Sequence, residues 1–120
     1  MNKLPSYREL LVWQKAILLC TEIYKLTHSF PREEIFGLTS QIRRSCVSIP
    51  SNIAEGRYRS SRKDFLQFLR IAYASGAELE TQLEIAQNVL KIPPERFKTS
   101  KKLLDEIMRM LNVIIQKLNY

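Results

Sequence analysis

A proline, Pro50, stands in the middle of a stretch that otherwise has the pattern of a long helix. Four apolar residues recur there at four-three-four spacing and share one stripe of a helix: Ile42, Cys46, Ile49 and Ile53. Pro50 removes the backbone hydrogen bond to the Cys46 carbonyl, which costs roughly 3 kcal/mol in a helix interior. Because the stripe keeps its phase across the proline, we predict one helix that continues through Pro50 with a bend.

Polar residues accompany this stripe and form a structural motif with the proline. Asn52 lies at the edge of the stripe, with Ser48 and Glu55 further round the helix. Gly56 is the residue type that most easily adopts the left-handed conformation that ends a helix. Two interpretations stay open. The stretch is either a kinked core helix with satisfied polar groups, or a bend that shapes a binding or assembly surface.

Helical periodicity continues along the rest of the chain, interrupted at prolines and short polar segments. Ser6 and Glu9 form a capping box before the first helix. The predicted apolar stripe of that helix consists of Leu10, Trp13, Ile17, Cys20 and Tyr24. The predicted helices are about 7–28, 35–55, 62–91 and 95–118, and no strand is expected. Four helices with short connections in 120 residues predict a single all-α domain, an antiparallel up-down-up-down four-helix bundle.

Two helices carry apolar residues beyond the single stripe that a bundle needs. The long third helix has an inward seam of Phe65, Phe68, Ala72, Gly76, Leu79, Leu83, Ala86 and Leu90. Further apolar residues on the first and third helices lie away from the core and form a candidate oligomer interface: Leu11, Leu18, Ile71, Ala74, Ile85 and Val89. Together they predict a partner surface, and self-association is the simplest partner.

A net charge of +7, from 19 Lys and Arg against 12 Asp and Glu, favours polyanionic partners. The candidate nucleic-acid-binding residues surround the second interhelical linker: Arg57, Tyr58, Arg59, Arg62 and Lys63. Arginine can grip phosphates with two hydrogen bonds, and tyrosine can stack on an unpaired base. The alternative is a solvated linker. A secondary basic cluster is expected at the opposite end of the bundle: Lys91, Arg96, Lys98, Lys101 and Lys102.

The residues that catalysis needs are sparse, so we expect no enzyme. Glu78, Glu80 and Glu84 are the densest carboxylates, and without histidines they lack the pattern of di-iron bundles. We expect them to pair with arginines such as Arg43 and Arg44, either within the bundle or across subunits. No cofactor, metal site or catalytic residue is predicted.

The cysteines and the hydropathy of the chain indicate its cellular location. Cys20 and Cys46 stand apart on apolar stripes, which predicts buried, reduced thiols. No apolar run reaches the roughly 18 residues of a membrane span, and the N-terminus lacks the pattern of a signal peptide. A cytoplasmic protein without membrane contact is expected.

Two long motifs resemble one known family. They are GLTSQIRRSCVSIPSNIAEG (37–56) and DFLQFLRIAYASGAELETQLEIA (64–86), with the opening YRELLVWQKA and the closing MLNVIIQKL in support. The chain resembles the 23S ribosomal RNA intervening-sequence proteins, which are encoded within insertions in bacterial 23S ribosomal RNA genes and elsewhere. That family is similar to the pentameric accessory variability determinant of diversity-generating retroelements, which binds a reverse transcriptase and nucleic acid. The resemblance implies a four-helix bundle and a homopentamer, and no known reaction.

Two hypotheses follow from the sequence. The first is an oligomer that binds nucleic acid, with RNA favoured over DNA, through backbone contacts. The second is an adaptor or scaffold whose partner is another protein, such as a nucleic-acid enzyme.

Overall fold

Four α-helices and three short 3-10 helices make up most of this computed structural model, which describes residues 6–59 and 61–119. The α-helices are α1 (Leu11–His28), α2 (Leu38–Tyr58), α3 (Arg62–Val89) and α4 (Lys98–Leu118). The 3-10 helices Tyr7–Glu9, Arg32–Glu34 and Pro94–Phe97 precede α1, α2 and α4. Within the described ranges there is no strand, and the predicted all-α class is confirmed.

The four helices form a bundle of 54 × 21 × 19 Å in which each helix packs on two neighbours. Helix α1 lies beside α2 and α4, and α3 lies on the other diagonal corner, also beside α2 and α4. The contact between α2 and α3 is the most extensive. Short connections make successive helices antiparallel, which confirms the predicted four-helix bundle. Within residues 6–59 and 61–119, none of the helices combines the length and the hydrophobicity that a membrane span requires.

Side-chain oxygens cap several helix starts, with differences from the prediction. The Ser61 hydroxyl accepts a hydrogen bond from the Asp64 amide at 3.0 Å, as its position before α3 predicted. The Ser6 hydroxyl accepts from Arg8 rather than from Glu9, and the chain forms a 3-10 turn before α1 begins. Glu34 accepts from the Leu38 amide, so α2 begins three residues later than predicted.

The predicted apolar stripe of α1 was wrong in phase. Ile17 and Tyr24 are exposed, at 40% and 45% of their maximal area. The buried stripe of α1 consists instead of Val12, Ala16, Leu19, Ile23 and Leu26. Both sets recur at helical spacing because α1 is apolar over more than half its circumference. Packing against α2 and α4 selects the second set, which leaves Ile17 and Tyr24 on the surface.

Helix α2 continues through Pro50, which confirms the predicted continuity. Its buried residues include Ile42, Cys46, Ile49 and Ile53, the stripe predicted from the sequence. The helix extends to Tyr58, so Arg57 and Tyr58 are helical rather than part of a linker. The connection to α3 is therefore only residues 59–61, of which residue 60 lies outside the described residues.

Gly56 does not end α2 in a left-handed conformation, as the sequence had predicted. It lies inside the helix, buried, and no glycine of the described chain has a positive φ. A Cβ atom at position 56 would lie 2.6 Å from Cβ of Phe68 and 3.2 Å from Cδ1 of Phe65. Glycine is needed here because α2 and α3 approach each other closely at this point.

The bundle has two ends with different compositions. The terminal end holds the start of α1, the end of α2 and the start of α3, and there the Tyr7 and Tyr58 rings lie 5.7 Å apart. At the distal end the Phe30 and Phe97 rings lie 6.3 Å apart. The two predicted basic clusters lie at these opposite ends.

Candidate nucleic-acid interface

Three aromatic rings meet at the terminal end of the bundle. The Tyr7 and Trp13 rings have centroids 5.1 Å apart in an edge-to-face arrangement, and Tyr58 continues the row. The guanidinium of Arg8 lies 5.5 Å from the Tyr7 centroid and 5.6 Å from that of Trp13. Tyr58 is 80% exposed, which leaves a ring face free for a planar ligand.

Two arginines on either side of Tyr58 lie over the first aromatic residues of α3. The Arg57 guanidinium carbon is 5.4 Å from the Phe65 centroid, and that of Arg59 is 5.0 Å from the Phe68 centroid. Arg59 also donates to Glu55 at 3.1 Å, one helical turn away. These contacts place the two cations on the surface beside the tyrosine, and they give the arginines a share in the packing of α2 on α3.

Positive charge continues into the first turn of α3. Arg62 and Lys63 are exposed there, followed by Asp64. A helix N-terminus itself carries about half a positive charge from its unpaired amides. In residues 55–64 four cations face two carboxylates, so this end attracts anions. The terminal end therefore unites all five predicted residues with three that the sequence alone did not assign, Tyr7, Arg8 and Trp13.

The secondary basic cluster occupies the distal end with a different character. Lys101 donates to Gln87 and pairs with Glu84 at 3.4 Å, and Arg96 donates to Ser29 at 3.1 Å. The remaining members of the cluster, Lys91, Lys98 and Lys102, are exposed. Its one aromatic residue, Phe97, is fully buried. Within residues 91–102 this cluster therefore offers charge without an exposed aromatic ring of its own.

The polar residues around Pro50 belong to the contact between α2 and α3. The Ser48 and Ser75 hydroxyls lie 2.8 Å apart, and the Asn52 amide donates to the carbonyl and the hydroxyl of Ser48 at 2.8 and 2.9 Å. One turn earlier the Ser45 hydroxyl donates to Gln82 at 2.8 Å. These bonds favour the structural interpretation of the motif, since Ser48 and Asn52 are occupied by the protein itself.

Within the bundle, Arg43 does not pair with the glutamates of α3. Its Nε donates to the Thr27 hydroxyl at 2.8 Å, and its guanidinium carbon lies 4.5 Å from the centroid of Tyr24. Arg43 points towards α1 because it lies on the α1 side of α2, whereas the glutamates belong to α3. These contacts form one wall of a groove between α1 and α2, which is also lined by Ile17, Cys20, Thr21, Lys25 and His28.

The glutamates of α3 have other neighbours. Glu78 accepts from the Ser45 hydroxyl at 3.3 Å, and Glu84 pairs with Lys101. Glu80 lines a shallow surface hollow between α3 and α4 with Glu84, Lys101 and Asp105. Among residues 6–59 and 61–119, no three His, Cys, Asp or Glu side chains converge in a way that could hold a metal ion.

The candidate interface residues are exposed on two separate surfaces. On α1, Leu11 and Leu18 are 56% and 55% exposed. On α3, Ile71, Ile85 and Val89 are 43%, 45% and 63% exposed, and Ala74 is exposed as well. The first pair shares its helix face with Lys15, which pairs with Glu106 of α4 at 2.6 Å. The α3 set shares its face with Glu78, which contacts α2. The two surfaces therefore lie on opposite sides of the bundle.

Sequence reasoning also missed an apolar projection at the distal end. Phe36 is 95% exposed and the adjacent Ile35 is 52% exposed, in the turn before α2. The predicted helix 35–55 includes both residues in its first turn. Gly37 follows them directly and has a low helix propensity, which could have indicated that the helix begins after residue 37.

The family model described as 23S rRNA-intervening sequence protein matches residues 8–113 of the chain. A crystal structure from Bacteroides thetaiotaomicron VPI-5482, described as a protein with unknown function from the S23 ribosomal protein family, is 31% identical in sequence. The similarity covers 88% of this chain and 96% of that one, with a TM-score of 0.81. No curated protein sequence gives a match.

Proposed function

The chain belongs to the family of 23S rRNA-intervening sequence proteins, and on that premise we propose that it is a non-enzymatic homo-oligomer of the bacterial cytoplasm that binds nucleic acid, RNA in preference to DNA. The nucleic-acid-binding surface in this proposal is the terminal end of the bundle. The observation that carries it is the position of Tyr58, 80% exposed between Arg57 and Arg59.

The chemistry of this end suits an unpaired strand. A base that stacks on an exposed aromatic ring gains roughly 1–3 kcal/mol, with little dependence on its identity. Arg62 and Lys63 are exposed in the first turn of α3, which begins four residues after Tyr58, and we expect them to contact the phosphates that flank such a base. Because the arginines beside Tyr58 are held over Phe65 and Phe68, their charge is presented with less loss of side-chain entropy.

Self-association would support nucleic-acid binding because it repeats the binding surface in each copy. Two apolar surfaces on opposite sides of one chain fit a head-to-tail contact, in which the α1 surface of one copy meets the α3 surface of the next. Such contacts close into a ring when the rotation between copies allows it. The family resemblance supports five copies. A ring places several terminal ends on one rim, where weak contacts to a single polyanion add.

Binding of labelled single-stranded RNA across a salt series tests the proposal. Affinity should fall as salt rises, because cations that neutralise phosphates release counterions. The variant Arg62→Glu with Lys63→Glu should bind more weakly, and its salt slope should shrink by about 0.7 for each phosphate that the variant no longer neutralises. Arg57 and Arg59 are left intact because their contacts with Phe65 and Phe68 also support the fold.

The matched control is Lys98→Glu with Lys102→Glu, which changes the net charge equally at the distal end. It should keep most of the affinity. If the control loses binding while the terminal variant retains it, the site lies in the secondary basic cluster. Absence of RNA and DNA binding by the wild type at low salt would overturn the nucleic-acid function.

A second candidate function is an adaptor for another protein, and Phe36 favours it. A phenylalanine at 95% exposure next to a half-exposed Ile35 is typical of an anchor for a partner pocket. In that case Phe36→Ala would abolish capture of the partner, and the wild type itself would bind neither RNA nor DNA at low salt.

A further inference from the structure

The two cysteines of the chain meet across the contact between α1 and α2. Both are free thiols, and their Sγ atoms lie 3.3 Å apart. A disulfide bond is about 2.05 Å long, so the sulfurs must approach by about 1.3 Å to bond.

The two thiols differ in their access to solvent. Cys46 is fully buried, whereas Cys20 is only partly buried. Cys20 lines the groove between α1 and α2, whose other lining side chains are Ile17, Thr21, Tyr24, Lys25, His28 and Arg43. The lining combines apolar side chains with the cations Lys25 and Arg43, of which Lys25 also pairs with Glu22 at 3.8 Å. A small reagent that carries carboxylates is therefore attracted to Cys20 and cannot reach Cys46 directly.

We propose that Cys20 and Cys46 form a reversible dithiol–disulfide site, oxidised through the α1–α2 groove by an anionic small-molecule disulfide such as oxidised glutathione. The Cys20 thiolate attacks one sulfur of the reagent, forms a mixed disulfide and releases one glutathione thiolate, which takes up a proton. The Cys46 thiol then loses its proton and attacks the Cys20 sulfur, which releases the second glutathione. Two protein thiols are oxidised, and one glutathione disulfide is reduced to two thiols.

Hydrogen bonding sets the order of the two steps. The Cys46 thiol donates to the Cys20 sulfur, which lowers the pKa of Cys20 and raises the pKa of Cys46. Burial raises the pKa of Cys46 further. Cys20 is thus the thiol that ionises first, and it is also the one exposed to the groove. Cys46 acts second, with its sulfur 3.3 Å from that of Cys20.

Oxidation also changes α2 at its proline. The Cys20 thiol donates a hydrogen bond to the Cys46 carbonyl at 3.5 Å. Pro50 cannot donate to this carbonyl because it has no N–H. The disulfide has no S–H, so this carbonyl loses its donor while α1 and α2 become covalently joined. The redox state of the pair thereby alters the hydrogen bonding of α2 one turn before its proline.

Intact mass spectrometry of the reduced full-length chain, incubated with oxidised glutathione, tests the site. The wild type should lose two hydrogen atoms, carry no adduct and return to the dithiol with reduced glutathione. Cys46→Ser should stop at one glutathione adduct on Cys20, because no thiol remains to displace it. Cys20→Ser should stay unmodified while folded. Cys46→Ala replaces Cys46→Ser if the buried hydroxyl prevents folding.

The proposal is overturned if the wild type keeps both thiols, holds a stable glutathione adduct or forms only disulfides between chains. Equal rates of modification for folded Cys20→Ser and Cys46→Ser would contradict the order of access. None of these outcomes depends on nucleic-acid binding.

Discussion

The thiol of Cys20 in α1 donates a hydrogen bond to the backbone carbonyl of Cys46 in α2, with 3.5 Å between sulfur and oxygen. That carbonyl would normally accept from the amide four residues later, which is Pro50 and has no N–H. The Cys20 thiol of the neighbouring helix therefore donates to the Cys46 carbonyl, which the proline leaves without a backbone donor.

A double-mutant cycle tests this compensation. Cys20→Ala leaves the buried carbonyl without a donor, so we expect the free energy of unfolding to fall by about 1–3 kcal/mol. In the Pro50→Ala background the restored amide can serve the carbonyl, and the same substitution should cost about 1 kcal/mol less. Denaturant unfolding of the four proteins gives both values. An equal cost in both backgrounds would contradict the link, since the cavity left by the sulfur is common to both.

Gly56 provides a test of the close approach of α2 and α3. Alanine is the better helix former by about 1 kcal/mol, yet Gly56→Ala should destabilise by about 1–3 kcal/mol because its Cβ meets the Cβ of Phe68. Gly76→Ala is the matched control. It is also a buried helical glycine, but its new methyl meets the flexible end of Met108, which can move. Thermal unfolding should show a larger loss at position 56, and the reverse order would contradict the packing described.

The sequence predicted the helices well and the details of their contacts less well. The third helix and the continuity of α2 through Pro50 followed from periodicity, because one phase of apolar residues dominated there. In α1 two sets of apolar residues have helical spacing, one with Ile17 and one with Leu19. Which set is buried depends on where α2 and α4 pack, and the sequence of α1 alone does not show this. Gly56 was interpreted by the commonest use of glycine, a helix end, whereas its role depends on Phe68, which is twelve residues away in the next helix.

Two buried threonines of similar exposure should respond in opposite directions to valine. The Thr39 hydroxyl finds no hydrogen-bond partner in the described part of the chain. Thr39→Val should therefore raise the free energy of unfolding by up to about 1 kcal/mol. The Thr27 hydroxyl accepts from Arg43 and donates to the Ile23 carbonyl, so Thr27→Val should lower it by about 1–2 kcal/mol. Thermal unfolding at one pH compares the two variants. A loss of stability at position 39 would contradict the unpaired assignment.

Mixing two interface variants tests the head-to-tail arrangement. Ile71→Glu with Ile85→Glu removes the α3 surface, and Leu11→Glu with Leu18→Glu removes the α1 surface. Each variant alone should be a folded monomer by light scattering and circular dichroism. An equimolar mixture should form a heterodimer, because one intact α1 surface then meets one intact α3 surface.

Other outcomes of the mixing experiment would contradict this arrangement. A variant that still self-associates would indicate contact between identical surfaces. Unfolding of the α3 variant would place Ile71 and Ile85 in the core, against their exposure. A wild-type monomer at micromolar concentration would reject self-association altogether.

Only part of the candidate site could be predicted from the sequence. Arg57, Tyr58 and Arg59 form a local motif that charge and aromatic character identify together. Tyr7 and Trp13 are more than forty residues away, and their place beside Tyr58 depends on the antiparallel order of the helices. The topology predicted that these segments share an end of the bundle, but the row of rings required the structure.

The fluorescence of Trp13 reports on RNA binding at the terminal end, because the chain has a single tryptophan and it lies in the row of rings with Tyr58. Titration with a short single-stranded RNA should change its emission saturably, and the change should weaken as salt rises. Tyr58→Ala with Arg62→Glu and Lys63→Glu should abolish the response, while Lys98→Glu with Lys102→Glu should retain it. RNA binding in a filter assay without any change in Trp13 emission would contradict a nucleic-acid interface at the terminal end.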